Sequence, residues 1–104
     1  MPLATTEQPL YVLETFWFRI PAAYLDGVAL TDADPPDAFT WELVDVVGTV
    51  LDTGSMAHSA TTDGTWEAEI AAPATKGTYH LHATATDGAS LGRWHDWISV
   101  KAFV

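Results

Sequence analysis

Three histidines near the carboxy-terminal end of the sequence carry the most chemistry: His80 and His82, two residues apart, and His95, which precedes Trp97 by two. Imidazole is neutral near pH 7, cationic a little below it, and a common metal ligand. A group of three can therefore form a pH-sensitive contact or hold Zn²⁺ or Ni²⁺ weakly. Residues two apart share one face of a strand. A hairpin loop over Asp87 to Ser90 sets His82 opposite His95 and His80 opposite Trp97 on the outer face. No carboxylate or fourth ligand has an evident place beside them, so the stronger reading is a polar outer face that uses His. A slip of one residue in register would dissolve the cluster.

The other polar constellations are weaker. Asp26, Asp32, Asp34 and Asp37 offer hard oxygen ligands for Ca²⁺, but lack the Asp-x-Asp-x-Asp-Gly spacing with a distal Glu, and read as a solvated loop. Glu67 and Glu69 share a strand face without a pocket signature and read as outward, solubilising charges. Ser55, Ser59, Ser90 and Ser99 have no Gly-x-Ser-x-Gly elbow around them. Neither a catalytic residue nor a cofactor site is expected. The five tryptophans are more informative, because so many exceed what a small core hides. Trp41 and Trp66 read as core. Trp17, Trp94 and Trp97 cannot all be turned inward by parity, and at least one is expected on a contact surface, where Trp is enriched.

The elements that must position these residues are strands. No stretch of a dozen residues keeps a helical apolar period, whereas alternation with period two recurs. Turn signals at Asp26-Gly27, Asp34 to Asp37, Val47-Gly48, Thr53-Gly54, Asp63-Gly64, Pro73 to Gly77 and Asp87-Gly88 divide the chain. The strands so defined run from Leu10 to Ile20, Val28 to Thr31, Phe39 to Val46, Thr49 to Asp52, His58 to Thr62, Thr65 to Ile70, Thr78 to Thr86 and Arg93 to Lys101. In the sixth, Trp66, Ala68 and Ile70 face in while Glu67 and Glu69 face out. The reading is an all-β antiparallel sandwich of about seven strands. Residues 1–9 are expected to form a flexible amino-terminal arm, and residues 10–104 one domain.

Composition bounds the partners. The chain has 104 residues, 14 acidic and 4 basic side chains and a formal charge of −10, which repels phosphate backbones and anionic membrane surfaces. Nucleic-acid and membrane binding are thus not expected. With no Cys, stability must come from the core. The start of the sequence lacks the basic and apolar runs of a signal peptide, so a cytoplasmic protein or a component of an assembled particle is expected.

The run Trp66-Glu67-Ala68-Glu69-Ile70, then Pro73, Gly77-Thr78-Tyr79-His80-Leu81-His82-Ala83, Asp87-Gly88 and Ile98-Ser99-Val100 resembles the second half of bacterial and bacteriophage immunoglobulin-like domains. In those domains a Pro and Gly corner swaps sheets, and a buried Tyr hydroxyl bonds back to the corner. The resemblance covers about the last 40 residues and implies an immunoglobulin-like β-sandwich. It points to a non-enzymatic structural protein of a phage particle, in the head, the head-to-tail junction or the tail. Such a protein acts by self-association or by contact with other virion proteins, and its location is the virion. The alternative is a carbohydrate-binding or adhesion module in which an exposed Trp stacks on sugar rings.

Overall fold

The computed structural model describes residues 10–102. The expected arm over residues 1–9 lies outside the described residues. Ten strands follow in chain order: β1 (Leu10–Tyr11), β2 (Thr15–Ile20), β3 (Tyr24–Leu25), β4 (Val28–Ala29), β5 (Ala38–Val44), β6 (Val50–Ser55), β7 (Ala57–His58), β8 (Trp66–Ala71), β9 (Gly77–Asp87) and β10 (Ser90–Lys101). They form a five-stranded sheet in the order β1-β10-β9-β5-β6, a three-stranded sheet β2-β8-β7 and a two-stranded hairpin β3-β4. The protein is all-β, without a helix among the described residues, in an arrangement consistent with a β-sandwich.

The strand count exceeds the expected seven because four of the strands are only two residues long. Pairing is antiparallel except between β1 and β10, which run parallel. The continuous strand expected from Leu10 to Ile20 is broken. Leu13 takes a left-handed φ of 65°, and the Glu14 amide donates to the Tyr11 carbonyl, closing a turn. On one side of that turn Val12 donates to the Lys101 carbonyl; on the other, Ala72 donates to the Glu14 carbonyl. The chain thus crosses from one sheet to the other within three residues, without the Gly or Pro that would announce it.

Each long strand alternates as its sequence dictates. Phe16, Phe18 and Ile20 of β2, Phe39, Trp41 and Leu43 of β5, and Trp66, Ala68 and Ile70 of β8 point into one core. On β9 the inward residues are Tyr79, Leu81, Ala83 and Ala85, the last three fully buried. Their small size has a reason. Ala83 pairs with Trp41 on one side and Trp94 on the other, and Ala85 lies between Phe39 and Gly92. Small side chains on the central strand leave the volume that large aromatics on its neighbours fill. The Trp66 indole N–H donates to the Leu30 carbonyl at 2.8 Å, so its polar atom is satisfied in the core.

Tyr79 begins the inward row of β9, and its hydroxyl donates to the Thr75 carbonyl across the Pro73-to-Gly77 corner. Replacing it by Phe removes that bond while keeping the ring. Tyr79→Phe is expected to cost about 1 kcal/mol in denaturant unfolding, with the strand register intact. Gly54 faces Trp41 in the β5–β6 pairing, and a Cβ there would lie 2.7 Å from the indole Nε1. Ala in place of Gly gains about 0.4–1 kcal/mol from a stiffer unfolded chain. Overpacking a core costs about 1–3 kcal/mol, and the Trp41 ring is pinned against Ala83, so the clash wins. Gly54→Ala is expected to lower the thermal midpoint; an unchanged or raised midpoint would show that the ring has room to move.

Candidate functional site

The hairpin β9–β10 turns through Gly88 and Ala89, with Asp87 paired to Ser90, and this fixes the register of everything below it. His82 pairs with His95 and His80 with Trp97, as the loop position required. All four project from the outer face of the five-stranded sheet, because their neighbours Leu81, Ala83 and Ile98 are committed to the core.

The imidazoles form a chain. His82 Nε2 lies 2.7 Å from His80 Nδ1, and His80 Nε2 lies 3.2 Å from His95 Nδ1. His80 is the middle member and uses both ring nitrogens on its neighbours. Its ring also stacks on Trp97, with centroids 4.1 Å apart and planes within 6°. Glu42 of β5 is the cross-strand partner of His82 on the other side from His95. It is the carboxylate for which the sequence offered no evident place. Arg93 lies two residues before His95 on the same face and forms no ion pair among the described residues. Together these side chains line a shallow, open depression on the sheet.

The imidazoles are linked ring to ring instead of gathered around one point. Among the described residues no group of three or more His, Cys, Asp or Glu side chains is disposed to hold a metal ion. The reason is visible in the chain of imidazoles: His82 and His95 meet opposite edges of the His80 ring, so the three sets of lone pairs do not converge on one point. The acidic loop is divided in the same way. Asp26 accepts from the Ser90 hydroxyl and Asp37 accepts from the Gly88 amide, so both carboxylates brace the β9–β10 loop. Glu67 is engaged by Arg19 at 3.1 Å on the opposite sheet.

The three tryptophans offered as contact residues occupy three different places. Trp97 is 56% exposed on the outer face beside the histidines. Trp17 is 37% exposed on β2, in the other sheet, with the Arg19 guanidinium 4.9 Å above its ring. Trp94 has the inward parity of β10 and packs half-buried on the core, its ring 5.2 Å from Phe39. They do not form one surface.

No family model, curated protein or solved structure matches the chain. What fold and site define is therefore a class: an all-β domain presenting a tryptophan and a string of imidazoles on an open sheet face.

The His80 pKa is pulled below its ordinary value of 6.5, first by burial under its neighbours, then by the charges of His82 and His95, with Asp96 opposing. A histidine whose folded pKa is depressed binds its proton more readily in the unfolded chain. Its contribution to stability therefore falls as pH drops through 6.5 toward the folded value. In a pH titration of the imidazole resonances, the His80 midpoint is expected below 6.5. It should rise when His82 or His95 is replaced by Gln; a midpoint at or above 6.5 would contradict the stacked, hydrogen-bonded arrangement.

Proposed function

We propose that this chain is an immunoglobulin-like domain that works without catalysis, as an assembly element of a bacteriophage particle, through the outer face of its five-stranded sheet. Two features support the fold. The sheets β1-β10-β9-β5-β6 and β2-β8-β7 follow the order of a sandwich whose larger sheet pairs the last two strands with the middle hairpin. The Tyr79 hydroxyl reaching back to Thr75 at the start of β9 is the corner contact of such domains.

The function rests on one observation, Trp97. A large aromatic side chain held flat on His80 and more than half exposed is ready to be buried at little conformational cost. The face around it is open and shallow, which suits a protein surface better than a reaction that must exclude water. The partners are other copies of the chain or other virion proteins, and the place of action is the virion. A second reading, glycan binding, draws on the same residue, because a planar, exposed indole can stack on a sugar ring.

Light scattering over a concentration series separates them. Assembly through this face predicts a defined species above the monomer that is lost in Trp97→Ala, by about 2 kcal/mol or more of contact energy, and kept in Trp17→Ala. A monomer at every concentration whose Trp fluorescence shifts on adding soluble oligosaccharides would replace assembly with glycan binding.

A further inference from the structure

The outward positions of β5, β9 and β10 contrast with the rest of the molecule. The whole chain carries 14 acidic side chains, yet Glu42 is the one carboxylate at those positions. The others are Thr40, Thr78, Thr84, Thr86, Ser99, the three histidines, Trp97, Leu91, and the cations Arg93 and Lys101, with Ala38 and Val44 on β5. Two copies of so acidic a protein repel each other over much of their surface, and a patch with one carboxylate and two cations reduces that repulsion.

The patch is also self-complementary. Glu42 lies on β5 in the row of His82 and His95, and Arg93 lies on β10 one row further along, paired with Thr84. They sit on opposite sides of β9, about 12 Å apart from the strand spacing and rise. A two-fold axis lying in the contact plane midway between them sets each Glu42 against Arg93 of the second copy. The same axis lays the His82 and His95 pair over its own copy, with Trp97 at the rim.

We infer that the outer face of the five-stranded sheet is a two-fold contact between copies of this chain, closed while the histidines are neutral and opened when they take up protons. The inference rests on the proposed assembly role of this face and names its partner and its control. The groups facing the imidazoles are few. His80 and His82 come from β9, His95 and Arg93 from β10, and Glu42 from β5, while Asp96, paired with the buried Leu81, acts on His80 from the inward parity of β10. One carboxylate per copy, Glu42, shares the face with three imidazoles and a guanidinium, so the fixed charges of Glu42 and Arg93 cancel, and the contact doubles every charge added to them. Protonation therefore turns a seam without net charge into a repulsive one.

Acidification separates this from mere loss of net charge. As pH falls toward the isoelectric point near 4.3, a protein of charge −10 loses its long-range repulsion and associates more readily. The two-fold contact predicts the opposite between pH 7.5 and pH 5.5, a dissociation constant higher by on the order of tenfold or more. The experiment is sedimentation equilibrium of the full chain in about 0.15 M salt, chosen to screen distant charges. It compares the native protein with Trp97→Ala, Glu42→Arg, Arg93→Glu and the exchange carrying both reversals, each checked for native circular dichroism.

The expected result is a dimer at pH 7.5 that weakens at pH 5.5 and in each single charge reversal, and recovers in the exchange. A Trp97-dependent oligomer that strengthens on acidification, or that the exchange does not restore, overturns the two-fold contact and leaves the assembly role standing. A native protein that is monomeric at every concentration and pH overturns self-association, and an oligomer indifferent to Trp97 overturns both.

Discussion

The arrangement depends on how β9 is held. It is the central strand of the larger sheet, paired with β5 on one side and β10 on the other along most of its length. Its inward residues are small where its neighbours are large, with Ala83 between Trp41 and Trp94, and Ala85 between Phe39 and Gly92. Those alanines cannot be exchanged with the outward histidines by a one-residue slip, since that would bury imidazole against indole and expose the aliphatic row. The core thus fixes the outer face, and the positions of His80 and His82 follow from Leu81 and Ala83.

The parts of the fold legible in the sequence were those set by local alternation and by a tight turn. Trp66, Ala68 and Ile70 face inward as their spacing dictates, and the two-residue turn after Asp87 carries the whole β9–β10 register with it. The illegible parts depend on contacts far apart in the chain. The crossover at residues 12–14 is made by Val12, Leu13 and Glu14, ordinary residues held by backbone bonds to Lys101 and to Pro73 and Ala72. Glu42 reaches the histidines only because β5 pairs with β9, forty residues apart in sequence. Alternation on β5 pointed Glu42 outward, but nothing local said beside what. Trp94 falls on the inward parity of its strand, and the register of the hairpin would have separated it from Trp97.

Charge and packing are distributed on different principles in this molecule. Many of the carboxylates lie in loops and turns, where some accept backbone bonds, as Asp45 does from Val47 and Thr49 and Asp37 does from Gly88. These acceptors order turns at little cost, because a short acidic side chain satisfies amides that the bend leaves unpaired. The outer face of β9 and β10 is exempt from that pattern. Its polar atoms come from Thr, Ser and His and from Arg93 and Lys101, none of which carries a negative charge, and one exposed tryptophan lies among them.

Histidine suits such a face better than lysine or threonine would. A lysine at position 80 could not stack flat on Trp97 and would bring a permanent charge to the strand. A threonine would be neutral at every pH and has no ring to stack on the indole. An imidazole stacks as an aromatic ring, links two neighbours through opposite edges, and stays neutral near pH 7. Placed in the middle of three, His80 is held below its ordinary pKa, first by burial and then by the charges of its two neighbours. The same geometry that knits the outer face together therefore also sets how readily His80 takes up a proton.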